Sequence, residues 1–513
     1  MPEDHRPRVR LFGEVLAHWA RERAADTAIV YGDRSWTWAE FDDRVRRLSG
    51  ALAAAGVGRG DRVAFVDKNH PACLETTFAA AGIGAANAVV NWRLSGDELA
   101  YVLADAGAKV VFVGAELLPA VEAVRDRLPA VERVVVVGGE QDEYESLLAV
   151  EPWGPQELDE DDGVLVMYTS GTTGFPKGAV LTHRSVIAHG LAAGTAFPIG
   201  PGDVNLVAMP LFRVGGSCYA VSGFLYGEPS YLTREPDAAS LFAALSAGIT
   251  HAFLVPAVVA GIAQAGDQAM RAFSKMKYLC YGASPMPLPL LRKALAAWPD
   301  VRFAQVYGMT ELSGAVTALD PEAHRDESHP ERLASAGTAL SGVDIRIVDP
   351  VTLEDSESGE VWIRTDQRMA GYLGNPEATA ETIVDGWVRT GDVGRLDDGG
   401  FLFLEDRVKD MIITGGENVY SPEVERVVAE FPGVVEVAVI GIPDERWGEQ
   451  VKAVVAGDQL DADKLMEFCR ERLAHYKCPR SVDVVEALPR NATGKILKRS
   501  LREPYWRDRS RNV

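Results

Sequence analysis

The stretch "YTSGTTGFPKGAVLTH", from Tyr168 to His183, combines glycines, hydroxyl side chains and one lysine at the end of the apolar run "GVLVMY". Glycines let backbone N–H groups approach a ligand closely, while hydroxyls and a lysine add donors suited to phosphate. The stretch differs from the P-loop of NTPases, because Lys177 is followed by Gly178 instead of Ser or Thr. It therefore predicts a loop that binds a polyanion.

The elements that must position this loop alternate between helical and strand-like patterns. "LFGEVLAHWARER" has helical spacing, and "RVAFV" and "AKVVFV" are short β-branched runs. This alternation predicts parallel sheets covered by helices. After about residue 335 the pattern becomes strand and turn, as in "GEVWIRT", which predicts a smaller antiparallel or barrel-like unit. A compact α/β pattern resumes near residue 409, so we predict domains at 1–408 and 409–513.

Composition limits the possible partners. The chain has 513 residues and a net charge of −22, which argues against binding to nucleic acid or to anionic membranes. Its five cysteines form no metal-ligand pattern, and the charged start "MPEDHRPRVRLF" is unlike a signal peptide. The most apolar run, "AFLVPAVVAGIA", is too short to span a bilayer. These features predict a cytoplasmic protein without a transmembrane segment, in which a local cluster of donors meets an anionic ligand.

Further motifs follow the loop in a fixed order. They are "PLFRVGG", "YGASPM", "QVYGMTE", "RTGDVG", "DRVKDMIITGGENVYSPEVE" and "PRNATGK". Together with "YTSGTTGFPKG", this set resembles the adenylate-forming enzymes, specifically the acyl-CoA synthetases of the fatty-acid-activating branch. The resemblance implies an α/β fold: a large N-terminal domain of parallel sheets with covering helices and a small β-barrel-like unit, then a small α+β C-terminal domain that rotates about a hinge.

The same resemblance implies two half-reactions. A carboxylate attacks the α-phosphate of ATP to give acyl-AMP and pyrophosphate, and a thiol, usually that of coenzyme A, then displaces AMP. Positioned cations and N–H groups should dominate both steps. ATP, Mg²⁺ and coenzyme A are the implied cofactors.

Roles at the nucleotide are implied residue by residue. The glycine-rich loop would hold the β- and γ-phosphates, Tyr307 would stack on adenine, and Thr310 would contact the α-phosphate. Glu311 would hold magnesium, a cation that prefers oxygen ligands. Asp392, assisted by Arg407, would bind the ribose hydroxyls. The full implied set is Thr169, Ser170, Gly171, Thr172, Thr173, Gly174, Lys177, Gly282, Ala283, Ser284, Tyr307, Gly308, Thr310, Glu311, Asp392 and Arg407.

Residues near the C-terminus match the mobile part of the family. Lys495, in "NATGK", would reach the carboxylate and α-phosphate during adenylation, and Lys409 would be the hinge. Rotation would withdraw Lys495 and bring Gly415 and Gly416 towards the thiol channel. Trp447 would flank that channel, although packing at the surface would explain this residue equally well.

One motif departs from the family. "PLFRVGG" places Arg213 where many relatives have histidine, within a substrate pocket or gate formed by Phe212, Arg213, Val214 and Gly215. Relatives that activate amino acids have aspartate there to hold the ammonium group, so Arg213 argues against an α-amino-acid substrate. Two roles stay open: pairing with Glu311, or attraction of a second acidic or polar group on the substrate.

The sequence therefore predicts an AMP-forming acid–thiol ligase of fatty acid metabolism, acting on a fatty or other hydrophobic acid. One alternative is a ligase that loads a carrier-protein thiol, and another is a nucleotide-binding protein without catalysis. A homo-oligomer is possible. Chain length and the choice between fatty, aromatic and sterol-derived acids depend on pocket volume, which the sequence does not provide.

Overall fold

A computed structural model describes residues 7–94, 96–154, 156–169, 176–284, 286–350, 352–407, 410–414, 417–444, 447–458, 460–473, 475–490 and 496–507. The chain divides into two compact units. The larger unit comprises Met1–Ile345 and Ile363–Val388, and the smaller comprises Arg346–Trp362 and Arg389–Val513. Residues 408 and 409 lie outside the described ranges, so the predicted domain boundary between them stays a prediction.

The helices follow the predicted alternation along the chain. They are α1 (Phe12–Glu22), α2 (Trp38–Ala54), α3 (Pro71–Ala81), α4 (Gly96–Ala106), α5 (Leu118–Glu122), α6 (Tyr144–Leu147), α7 (His183–Ala196), α8 (Val214–Tyr226), α9 (Ala238–Ser246), α10 (Pro256–Gln264), α11 (Asp267–Phe273), α12 (Leu288–Ala297), α13 (Pro376–Thr382), α14 (Ser421–Ala429), α15 (Ala462–Arg470) and α16 (Lys498–Trp506).

The strands lie between these helices. They are β1 (Thr27–Tyr31), β2 (Arg34–Thr37), β3 (Arg62–Val66), β4 (Ala86–Val89), β5 (Val110–Gly114), β6 (Arg133–Val137), β7 (Gly163–Thr169), β8 (Lys177–Thr182), β9 (Asn205–Val207), β10 (Ser230–Leu232), β11 (His251–Leu254), β12 (Tyr278–Gly282), β13 (Arg302–Met309), β14 (Gly314–Leu319), β15 (Thr338–Ala339), β16 (Val343–Val348), β17 (Gly359–Thr365), β18 (Gly371–Tyr372), β19 (Ile383–Val384), β20 (Trp387–Leu396), β21 (Leu402–Arg407), β22 (Ile412–Thr414), β23 (Glu417–Val419), β24 (Val434–Asp444), β25 (Gly448–Gly457) and β26 (Ser481–Val485).

Two sheets form the frame of the larger unit. Sheet I has the order β15-β14-β13-β12-β11-β9-β10-β1-β2, and sheet II has the order β18-β8-β7-β4-β3-β5-β6. The central pairs of both are parallel, whereas β13 with β14 and β7 with β8 are antiparallel. The predicted parallel sheets are thus confirmed. Their buried β-branched runs fit this arrangement, because strands covered on both faces are apolar throughout.

The strand-and-turn pattern after residue 335 forms sheet III, with the order β16-β17-β20-β19 and with β21 paired to β20. This confirms the predicted small barrel-like sheet. In the smaller unit, sheet IV has the order β23-β22-β25-β24, with β26 parallel to β25. Helices α14 and α15 contribute buried Val424, Val428 and Leu465 to the core beside it. This α+β arrangement was also predicted.

Helix α3 shows how the core of the larger unit is built. Every residue from Pro71 to Ala81 is buried, and most of these residues are small or apolar. Aromatic rings of neighbouring helices pack beside it, with Phe41 stacked on Phe224 at 5.3 Å and Phe78 edge-on to Phe224 at 5.4 Å. Within the described part of the chain, no helix combines the length and the apolarity needed to cross a membrane.

His183 at the start of α7 makes the larger unit sensitive to acid. Its Nδ1 accepts the Phe12 N–H at 3.1 Å, and burial lowers the pKa of its imidazole to about 4, against the opposing charges of Asp162 and Glu14. Between pH 6.5 and 4 the unfolded chain therefore binds a proton that the folded chain does not, so stability falls as the pH drops through this window.

We expect His183→Asn to flatten this dependence, since the asparagine oxygen can accept the same N–H without titrating. Between pH 7.5 and pH 5, the melting temperature should fall less in the variant than in wild type. The difference corresponds to about 2 kcal/mol in the free energy of unfolding. His475→Asn, at an exposed histidine, is the matched control substitution. An equal loss in wild type and His183→Asn would contradict the assignment.

Candidate active site

Glu311 lies in a short 3₁₀ turn directly after β13 and is 6% exposed. Its Oε1 accepts a hydrogen bond from Tyr372 Oη at 2.6 Å, and its backbone oxygen accepts the Met369 N–H at 2.8 Å. Burial and the Glu311 charge together raise the pKa of Tyr372 far above its usual value, so the phenol stays protonated and donates. One carboxylate is thereby held in a fixed orientation.

Lys177 belongs to the same group. It is the first residue of β8, and its Nζ lies 4.5 Å from the centroid of the Tyr372 ring. Thr169 at the end of β7 pairs with Lys177, and its Oγ1 donates to the lysine backbone oxygen at 3.4 Å. Two residues of the predicted phosphate loop thus lie at the point where sheet II approaches Glu311. The remaining loop positions, Ser170, Gly171, Thr172, Thr173 and Gly174, lie outside the described residues.

Backbone crowding fixes the turn that carries Thr310 and Glu311. Ser313 has a left-handed φ of 56°, and its Oγ donates to the Gln367 backbone oxygen at 2.8 Å. A Cβ at Gly308 would lie 1.7 Å from the Gly314 oxygen, so a glycine is required there. This strained, over-determined backbone is characteristic of a functional site.

The residues predicted to flank adenine occupy neighbouring strands. Gly282 ends β12 and pairs with Val306 of β13, next to Tyr307. A Cβ on Gly282 would lie 2.4 Å from the Val306 oxygen. Ala283 has a left-handed φ of 62°, and it is exposed together with Ser284. The structure therefore brings the two predicted adenine segments side by side.

An apolar cavity adjoins these segments. It lies between α7, α8 and the strands β9, β11, β12, β13 and β14, with an empty volume of about 870 Å³ that includes its opening to solvent. Ala283 and Gly308 form part of its wall. Glycines let its wall pack closely, because a Cβ at Gly194 would lie 1.5 Å from Tyr226 Oη and one at Gly223 would lie 2.6 Å from Asn205 Nδ2. Its largely apolar lining, with a few polar groups, suits a small-molecule site.

The predicted gate residues divide between core and cavity. Phe212 is buried, whereas Val214 and Gly215 at the start of α8 line the cavity. Arg213 precedes α8, and its Cζ lies 5.9 Å from the Phe212 ring centroid, while Arg93 Cζ lies 5.4 Å from the same ring. Burial, and secondly the charge of Arg93, lower the pKa of Arg213. Arg93 and Arg213 thus form a positive patch at the predicted gate. The pairing of Arg213 with Glu311 stays a prediction.

Other predicted residues belong to the smaller unit. Asp392 on β20 is 8% exposed, its N–H donates to Thr390 Oγ1 at 3.1 Å, and it pairs in register with Arg407 of β21. The Trp447 N–H donates to Asp444 Oδ1 at 2.9 Å, and Arg480 lies 5.0 Å from the Trp447 ring centroid. Lys409, Gly415, Gly416 and Lys495 lie outside the described residues.

The sequence analysis did not predict Tyr372 or the residues of α7 that line the cavity as part of the site. Tyr372 lies in a two-residue strand within "RMAGYLGNP", where no local motif marks it. His189 lines the cavity, and burial lowers the pKa of its imidazole to about 4, so the ring is neutral at pH 7. In α8, by contrast, Gly215, Tyr219 and Gly223 recur at helical spacing and could have indicated one cavity-facing side.

Comparison with known proteins places the chain in a family. The model for "AMP-binding enzyme" matches residues 16–373, and the model for "AMP-binding enzyme C-terminal domain" matches residues 423–495. The fatty acid–[acyl-carrier-protein] ligase ScoC of Streptomyces coeruleorubidus is 36% identical over 99% of both chains. The feruloyl-CoA synthase of an Amycolatopsis species is 38% identical over 96% of this chain and 99% of that protein.

A solved structure agrees. The o-succinylbenzoate coenzyme A synthetase MenE of Bacillus subtilis, in complex with ATP and magnesium, superposes with a TM-score of 0.83 at 28% identity, covering 95% of this chain and 98% of that one. The chain belongs to the AMP-binding enzyme family. Within it, the protein is an AMP-forming acid–thiol ligase that activates a carboxylic acid with ATP and magnesium.

Glu311 fits the role of a magnesium ligand. The described side chains contain no cluster of three or more His, Cys, Asp or Glu residues that could hold a metal alone. Mg²⁺ commonly takes one or two carboxylates, with waters and substrate phosphates completing its shell. A single buried and oriented carboxylate therefore suits a cation that arrives with ATP.

We expect Tyr372→Phe to lower kcat/KM for pyrophosphate release about 10- to 100-fold, because a hydrogen bond to a charged group contributes about 1.5–3 kcal/mol. The effect should be largest at limiting magnesium. Tyr144→Phe is the matched control: it removes a similar bond, from Tyr144 Oη to Glu75 Oε2 at 2.6 Å, away from the site. That variant should lose stability without the magnesium effect. Identical kinetics in the two variants would contradict a role for Tyr372.

Proposed function

We propose that the acid activated by this enzyme is apolar over most of its length and occupies the cavity between α7 and α8. The observation that carries this proposal is that Ala283 and Gly308, predicted neighbours of the nucleotide, also form part of the cavity wall. An acid in the cavity would present its carboxylate beside the α-phosphate. Proximity of this kind converts a bimolecular attack into an effectively unimolecular step.

The nucleotide would be held by the implied residues. Lys177 would neutralise phosphate charge, Thr310 would contact the α-phosphate, and Tyr307 would stack on adenine. Magnesium, when bound, would neutralise charge on the leaving pyrophosphate. Glu311 would contribute the protein's oxygen ligand, oriented by the phenol of Tyr372. Asp392 and Arg407 would bind the ribose.

Charge control at the attacking carboxylate would come from Lys495 through the resemblance. After adenylation, rotation about Lys409 would withdraw Lys495 and bring Gly415, Gly416 and Trp447 to the thiol. Coenzyme A is the proposed acceptor, and the positive patch of Arg93 and Arg213 beside the gate suits an anionic thiol carrier. Cytoplasmic location and homo-oligomer formation stay predictions.

A panel of acids tests the substrate class. Pyrophosphate release should be seen with apolar carboxylic acids and not with α-amino acids. The gate position that would need an anionic side chain to hold an ammonium group is occupied by the cationic Arg213. Free coenzyme A and a phosphopantetheinylated carrier protein, each supplied in turn, identify the acceptor by the thioester formed. Activation of α-amino acids alone would overturn the proposal.

We expect Lys495→Ala to slow adenylation strongly, while the rate of thioester formation from supplied acyl-AMP changes little. Loss of a positioned charge at this transition state costs roughly 3–4 kcal/mol, on the order of 10²–10³ in rate. Lys498→Ala is the control, since Lys498 Nζ is engaged by Glu425 Oε1 at 2.8 Å. Single-turnover experiments measure the rate of each half-reaction separately. An equal fall in both rates in Lys495→Ala would refute the assignment.

A further inference from the structure

Three residues that line the apolar cavity carry buried polar atoms without a hydrogen-bond partner among the described residues. His189 Nδ1, Tyr219 Oη and Asn205 Oδ1 are buried and have no hydrogen-bond partner among the described residues. All three residues line the cavity. A buried polar group without a partner costs free energy, so native proteins rarely keep several in one place without a use for them. Together they indicate that a ligand supplies the missing partners.

The three groups lie at different depths. His189 is at the nucleotide end, because a Cβ on Gly314 would lie 2.5 Å from its Nε2 and Gly314 pairs with Met309, next to Gly308. Asn205 is at the opposite end. Asn205 pairs with His251 of β11, and His251 pairs with Tyr278 of β12. Tyr278 in turn pairs with Arg302 of β13, so Asn205 lies at the same height in the sheet as Arg302. Arg302 precedes Gly308 by six positions, or roughly 20 Å along the strand.

Tyr219 lies between them. Its ring centroid is 5.6 Å from that of Phe253, Phe253 pairs with Cys280, and Cys280 pairs with Ala304. Ala304 precedes Gly308 by four positions in the chain, which corresponds to roughly 13 Å along the strand. The Tyr219 hydroxyl is therefore far from the reacting carboxylate and would meet the body of the acid.

Among the described residues, the side chains packed around the Tyr219 ring are apolar. Phe197 at 5.7 Å and Phe253 pack around the ring, and both belong to an apolar cluster with Met209 and Cys280. Burial raises the pKa of Tyr219 well above its usual value, so the hydroxyl is protonated and can donate. By contrast, Ser222 in the same wall already donates to the Cys218 backbone oxygen at 2.8 Å.

We propose that the preferred substrate is an otherwise apolar acid that carries a hydroxyl or carbonyl oxygen at the level of Tyr219, rather than an unsubstituted hydrocarbon acid. This rests on the proposed function and narrows it. An oxygen there would accept the Tyr219 hydrogen bond and recover the desolvation cost. An unsubstituted acid would bury the hydroxyl without a partner, and sites built in this way discriminate strongly against analogues that lack the polar group.

The test compares matched acids that differ by one oxygen. Decanoic and 10-hydroxydecanoic acids, dodecanoic and 12-hydroxydodecanoic acids, and cinnamic and 4-hydroxycinnamic acids place it at different depths. Wild type should prefer the oxygenated member of at least one pair by 10-fold or more in kcat/KM for pyrophosphate release. Tyr219→Phe should lose most of that preference and retain or gain activity on the unsubstituted acid.

Tyr278→Phe is the matched control, because Tyr278 belongs to the same aromatic cluster but does not line the cavity. It should keep the wild-type preference. A second measurement needs no substrate: the acid-free Tyr219→Phe protein should melt at the same or a higher temperature than wild type, since it loses an unpaired hydroxyl.

Four outcomes separate the claims. Equal kcat/KM within every pair would overturn this inference and leave the proposed function standing. An unchanged preference in Tyr219→Phe, or a clearly lower melting temperature of that variant, would also overturn it. Failure of every acid to release pyrophosphate would overturn the proposed function and this inference with it.

Discussion

The hydrogen bond from Tyr372 to Glu311, at 2.6 Å, joins the two sheets of the larger unit where the candidate site lies. Glu311 follows β13 of sheet I, whereas Tyr372 is on β18 at the edge of sheet II. Lys177, beside the Tyr372 ring, begins the strand that pairs with β18. A buried carboxylate is stable only when it is paired or hydrogen-bonded, so this contact fixes how the two sheet ends meet. Lys177 of the predicted phosphate loop and Glu311, the metal-ligand candidate, therefore lie close to the same tyrosine.

The same strand ends also shape the apolar cavity. Gly308 and Ala283 line the apolar cavity proposed to hold the acid, and they are also the predicted neighbours of the nucleotide. The close approach of Gly308 to Gly314 and the left-handed Ala283 show that the backbone is held tightly at this junction. A rigid common wall is what an attack between two bound substrates requires, because misplacement by even 1 Å slows such a reaction strongly.

Local patterns were enough to predict much of this architecture. β-branched runs such as "RVAFV" predicted the parallel strands, and motif context predicted Lys177 and Glu311. Tyr372 and His189 were missed because their roles arise from pairing between distant segments: Tyr372 meets Glu311 across 61 positions of the chain. The depth of Tyr219 likewise depends on strand register, which no single segment encodes. The phosphate loop between Ser170 and Gly174, and Lys495, rest on the resemblance.

In the proposed reaction, the carboxylate of the acid in the cavity attacks the α-phosphate held beside it. Isotope transfer from a carboxylate labelled with ¹⁸O in both oxygens tests it directly, by mass spectrometry of the nucleotide after one turnover with thiol. Attack through a carboxylate oxygen forms an acyl–oxygen–phosphorus bridge, and thiol attack at the carbonyl carbon leaves the bridging oxygen on phosphorus. We expect AMP that carries one ¹⁸O atom. Unlabelled AMP, or label found in inorganic phosphate beside ADP, would contradict it.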